Sequence, residues 1–116
     1  MAETEDKIYE TIEEILAEPD VEYALVPGWG DKKIRIGSLT AGDMIEWSEA
    51  NEGEAKRTAG LRLIVKSLVD SQGKRIGNDK HISLLRAKSH KVTEGIVKAI
   101  LKLNGFVIKE DNTKKD

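Results

Sequence analysis

The sequence predicts an α+β fold, predominantly α-helical, with about four to five helices and a small N-terminal β-hairpin. Three observations carry that expectation. Apolar residues recur every three or four positions over most of the chain, the helical period. One stretch near the N-terminus instead alternates, as Ile34-Arg35-Ile36, and follows a turn-like Pro27-Gly28-Trp29-Gly30-Asp31. Finally, 116 residues with 39% hydrophobic and 34% charged side chains suit one modest core under a charged surface.

The elements follow in order. Residues 5–17 read as an amphipathic helix, with Ile8, Ile12, Ile15 and Leu16 forming one apolar stripe and Thr4 as the N-cap. Glu18-Pro19-Asp20 ends it, because a proline disfavours helical geometry in the residue before it. Val21 to Val26 and Lys33 to Gly37 then make the two strands of a hairpin spanning 21–37. A helical core of 41–104 follows. Thr40-Ala41-Gly42-Asp43 opens a helix that runs to about Ala50 and places Met44, Ile45 and Trp47 near the core. Asn51-Glu52-Gly53 breaks it.

The strongest helix is expected over Glu54 to Val69, with Leu61, Ile64, Val65 and Leu68 inward and Lys56, Arg57, Arg62 and Lys66 outward. After the polar loop Asp70–Lys74, Asn78 or Asp79 caps a short helix carrying Ile82 and Leu85. Ser89 caps the last, which repeats Val92, Ile96, Ile100 and Leu103 before Asn104-Gly105. These elements make a single domain over 1–109. Residues 110–116 hold no apolar side chain and are expected to be a disordered tail.

Charge is uneven. Residues 1–22 hold nine acids and one base, Lys7, while the net charge of the whole chain is only −2. An exposed acidic helix is the plainer reading and suits the helix dipole; an acidic arm that docks on a basic partner is the other. The acidic start has no continuous apolar stretch, so no secretory signal is expected, nor any membrane span.

Chemistry is hard to find. There is no cysteine, and His81 and His90 lie nine residues apart, which is not a metal-ligand spacing on a helix. Gly28-Trp29-Gly30 lacks the lysine and hydroxyl residue that a phosphate loop needs after its last glycine. No serine sits in a Gly-x-Ser-x-Gly context, although a triad is assembled in space and sequence does not decide it. The chain is expected to be no enzyme and to need no cofactor. Lysines and arginines gather between Lys56 and Lys102, but a pI near 5.8 is far from the basic footprint of a DNA reader.

Binding to protein is the remaining expectation. Trp29, in the turn, needs either a packing partner or a binding partner, whereas Trp47 reads as core. Candidate contact residues are Trp29, the stripe Ile8, Ile12 and Ile15, and Leu63 as an exposed apolar position of the central helix.

Three segments also resemble a known family. Leu39-Thr40-Ala41-Gly42-Asp43 opens a helix just after the hairpin, Asp70-Ser71-Gln72-Gly73-Lys74-Arg75 matches a D-x-x-G-K-R loop, and Leu103-Asn104-Gly105 matches a closing L-N-G. In this order and spacing, over roughly three quarters of the chain, they resemble the tail assembly chaperones of long-tailed (siphovirus-like) bacteriophages. The resemblance implies a non-catalytic protein of the host bacterial cytoplasm that binds the tape-measure protein or tail tube subunits and is absent from the mature virion, with self-association possible. A small DNA-binding regulator and a structural tail or head–tail joining subunit are the alternatives.

Overall fold

A computed structural model describes residues 7–50 and 52–106. It contains α1 (Ile12–Ala17), β1 (Tyr23–Pro27), β2 (Lys33–Gly37), α2 (Ala41–Glu49), α3 (Gly53–Arg57), α4 (Ala59–Ser67), α5 (His81–Leu85) and α6 (His90–Leu103). The fold is α+β and helix-dominated, as the sequence predicts. Among the described residues the helices number six, because the segment expected as one central helix is two.

The first helix starts later than expected. Thr11 is the N-cap, and its hydroxyl accepts the Glu14 N–H at 3.2 Å. Thr11-Ile12-Glu13-Glu14 has the hydroxyl and the acid three positions on that favour a start there; Thr4 is followed by Lys7 instead. Ile8 therefore precedes the helix. The proposed Thr4 cap, Asn51 in the later break and the tail 110–116 all lie outside the described residues.

β1 and β2 pair antiparallel, with Ala24 opposite Ile36 and Val26 opposite Ile34. Alternation sends Val26 and Ile36 into the core and leaves Tyr23 and Leu25 on the outer face. A two-stranded ribbon is marginal alone, and here it packs on α6. It is also widened: Leu68 bridges Ile36, and the Val69 N–H donates to the Arg35 carbonyl at 3.1 Å. Leu68 and Val69 thus leave the helix predicted for them and become extended: the Val69 N–H pairs with β2, while Leu68 keeps its N–H on the Ile64 carbonyl and accepts the Ile76 N–H at 3.0 Å.

The other departure is at Thr58. Its N–H and its hydroxyl both reach the Glu54 carbonyl, at 3.0 and 2.8 Å. Such back-bonding bends helices, and it separates α3 from α4. Arg62 does not face solvent as predicted. Its guanidinium spans carbonyls left free at the ends of α2 and α3, donating to Ala55 at 3.1 Å, Ala50 at 2.7 Å and Trp47 at 3.4 Å. Lys66 is likewise drawn in, to Glu46 at 2.8 Å. In α2, Met44 and Trp47 pack on the core but Ile45 is exposed.

α4 and α6 form the centre. Val26, Ile36, Leu63, Ile64, Ile96 and Ile100 are the buried cluster. A Cβ at Gly60 would stand 3.3 Å from Val97 Cγ2, so the missing side chain lets the two helices approach closely. At the end of α6, Gly105 takes the left-handed conformation expected of it (φ 90°). Phe106 N–H then bonds the Leu101 carbonyl at 2.9 Å and Gly105 N–H the Lys102 carbonyl at 3.1 Å, closing a Schellman motif. Ser89 occupies the N-cap position of α6, but its hydroxyl makes no capping bond.

Candidate functional site

The three family-like segments are fastened to one another. Thr40 and Asp43 form a capping box, with Asp43 N–H to Thr40 Oγ1 at 3.0 Å and Thr40 N–H to Asp43 Oδ2 at 3.3 Å. The same Asp43 oxygen accepts from Arg75 at 3.0 Å, tying α2 to the D-x-x-G-K-R loop. Inside that loop the Asp70 carboxylate accepts the Gln72 and Lys74 N–H groups at 2.8 and 2.9 Å. Those bonds, Lys74 first, hold its carboxyl below the usual range. Asn104, from the L-N-G segment, accepts the Leu39 N–H at 2.7 Å and donates to the Ile100 carbonyl at 2.8 Å. These motifs therefore hold the fold.

Asp43 also gives the fold a pH dependence. Partial burial is the largest influence and raises its pKa. Bonds from Arg75 and Thr40 oppose it, and together they keep the carboxyl below its ordinary value of 3.8. A depressed pKa means the folded chain binds this proton less readily than the unfolded chain does. The stabilisation is therefore present above the ordinary value and lost as pH falls through the lowered one. Asp43→Asn is expected to cost about 1 kcal/mol at neutral pH and little in acid. Urea unfolding at several pH values reads the difference.

The expected contact residues part company. Ile8, Ile12 and Ile15 are 73%, 59% and 47% exposed, and Leu16 joins them. Leu63 does not. It is 1% exposed, because α4 packs on α6 and Leu63 shares the buried cluster with Ile64, Ile96, Ile100, Val26 and Ile36; it is unavailable to a partner. Trp29 is half-buried against the core, with the Lys88 ammonium 5.4 Å from its ring centroid. Its indole N–H is buried and finds no hydrogen-bond partner among the described residues.

Two apolar surfaces went unread in the sequence. Tyr23 and Leu25 stand on the outer face of the hairpin, a placement that strand alternation implies once Ala24 and Val26 are set inward. Ile76 and Leu84, 54% and 67% exposed, flank a groove of about 280 Å³ beside α5, floored by Leu68 and Leu85 and edged by His81 and Lys88. Five residues of α5 are too few to show a period.

A second groove of about 430 Å³ lies between α4 and α6, over Gly60, Leu61 and Val97. Its rim cations Arg57 and Arg86 both pair with Glu54, whose carboxyl they hold below its ordinary value, Arg57 foremost. His81 Nδ1 accepts the Asn78 N–H at 3.0 Å, a cap-like role, and His90 lies 3.4 Å from Glu94. Among the described residues no three metal-ligating side chains come together. None of the described helices is long and apolar enough to cross a membrane. The surface thus offers apolar contact edged by charge.

No family model and no curated protein matches the chain. Among solved structures it is similar to the bacteriophage HK97 tail assembly chaperone. The two chains are 16% identical, and the match covers 84% of this chain and 97% of that one with a TM-score of 0.60. This chain thus has the fold of the HK97 protein.

Proposed function

We propose that this chain is a tail assembly chaperone of a long-tailed phage, binding the tape-measure protein, and tail tube subunits, in the bacterial cytoplasm and leaving before the virion is complete. The observation that carries the reading is the fold shared over nearly the whole of the HK97 chaperone. The exposed isoleucines Ile8, Ile12 and Ile15 support it, since a helical client with an apolar face is recognised by exposed apolar anchors. Many weakly bound copies along one rod-like client gain by avidity.

Burying one such isoleucine is worth about 1.5–3 kcal/mol. Ile12→Glu should therefore weaken capture of the client by roughly tenfold or more. The test is co-expression of the chain with the tape-measure protein of its phage, pull-down, and inspection of purified virions. A soluble complex with wild type, lost in Ile12→Glu, and virions free of the chain are expected. No complex with tape-measure or tube protein, or presence of the chain in virions, overturns the proposal; the second outcome points to a structural subunit.

A further inference from the structure

The hairpin buries one face and leaves the other bare. Val26 and Ile36 point into the core, where α6 packs on the two strands. On the opposite face stand Tyr23 and Leu25, 50% and 57% exposed, and Val21, 47% exposed, continues their alternation. Across the strand pair Tyr23 meets Gly37, Leu25 meets Arg35 and Pro27 meets Lys33. Directly opposed residues project from the same side of a sheet, so Arg35 and Lys33 edge the apolar row.

Two glycines shape this face. A Cβ at Gly37 would stand 3.2 Å from the Tyr23 ring, and one at Gly73 would stand 2.5 Å from its hydroxyl. The missing side chains let the ring lie across β2 to the Asp70–Lys74 loop, and Leu25 stands beside it.

The charge on the face has one sign. β1 holds no charged residue, and β2 holds Lys33 and Arg35 with no acid. Neither cation forms a salt bridge among the described residues. Asp70 lies near enough to Arg35 to feel its charge, but its carboxylate is committed to the Gln72 and Lys74 N–H groups. An apolar row edged by cations complements an apolar stripe edged by carboxylates.

A sheet face of this kind is commonly buried by a helix laid over it. We propose that the outer face of the hairpin docks an acidic amphipathic helix of a partner protein. Val21 to Pro27 span about 20 Å, which about 13 residues of helix match. The partner's apolar side chains cover Tyr23 and Leu25 while its carboxylates reach Arg35 and Lys33. The inference goes beyond the chaperone reading, which rests on a named client and on Ile8, Ile12 and Ile15. Purified chain and a synthetic peptide test it, so either can fail without the other.

The probe is a peptide of about 14 residues, stapled into a helix, with leucines at i, i+3, i+4 and i+7 and glutamates elsewhere. Its twin carries lysines in place of the glutamates. Calorimetric titration into the full chain should show binding of the glutamate peptide, weakened by salt, with the lysine twin at least about tenfold weaker. Leu25→Glu and Lys33→Glu alter exposed positions, and circular dichroism confirms that each variant is folded. Leu25→Glu should raise the dissociation constant at least about tenfold, and Lys33→Glu should move the preference toward the lysine twin.

The proposal is overturned by a glutamate peptide that does not bind at about millimolar concentration, or by equal binding of the two peptides. It is also overturned if Leu84→Glu weakens binding and Leu25→Glu does not, which puts the peptide in the α5 groove. A dimer of the free chain that Leu25→Glu dissociates, seen by sedimentation velocity, overturns it too, because the face then belongs to a second copy.

Discussion

Leu63→Ala is expected to lower the unfolding free energy by about 2–5 kcal/mol, the range for emptying a buried leucine site. Leu63 sits at 1% exposure between Ile64 and the Val26, Ile36, Ile96 and Ile100 side chains. The cost has two parts: lost transfer of the side chain out of water, and a cavity that α4, α6 and the hairpin cannot close around without moving together. Ile12→Ala should change stability by no more than about 0.5 kcal/mol, as usual for an exposed position outside the core whose own side chain makes no cap bond. Urea denaturation of the two variants measures both. The pair separates a core leucine from a contact isoleucine: loss of partner binding in Leu63→Ala reports unfolding, whereas in Ile12→Ala it reports the surface. Wild-type stability in Leu63→Ala would refute this account of the core.

Arg62→Ala is the second large effect, expected to cost about 2–3 kcal/mol. Arg62 donates to the Ala55, Ala50 and Trp47 carbonyls and lies 6.0 Å from the Trp47 ring centroid. Those carbonyls terminate α2 and lie in α3, where the helical ladder does not use them all. Removing the guanidinium leaves acceptors with poorer access to water and frees the loop between the two helices. Arg62→Lys should recover little, because one ammonium cannot span acceptors that the planar fork reaches with Nε and Nη2 together. Thermal unfolding gives the cost. Near-ultraviolet circular dichroism adds a local readout, since the Trp47 indole, bonded to the Ala59 carbonyl at 2.8 Å, lies within the clamp.

How far the candidate surface could be read in advance depends on the kind of signal. The helical spacing of Ile12 and Ile15 survives in α1, whereas Ile8 precedes the helix and is exposed outside it. The late start was open to the same rules, since Thr11 with Glu14 is a better cap pattern than Thr4 with Lys7. Leu63 was not legible. In the run Leu61-Arg62-Leu63-Ile64-Val65, period alone offers more than one inward face. Packing of α4 against α6, α5 and α2 at once made the buried face wide enough to take Leu63, Ile64 and Val65 together. The α5 groove was hidden for another reason: its walls come from Leu68, Ile76 and Leu84, which no local pattern joins.

By itself, the sequence determined the presence of the hairpin though not its register, the Thr40–Asp43 capping box, the glycine stop at Gly105 and the acidic apolar start, because each depends on neighbours within a few residues. Only the tertiary structure decided that Thr58 divides the central helix, that Leu68 and Val69 extend the sheet, and that Arg62 turns inward. Each of those choices is made by a partner distant in the chain or by competition for one carbonyl. Local propensity differs among such options by less than the hydrogen bonds and burial that select between them.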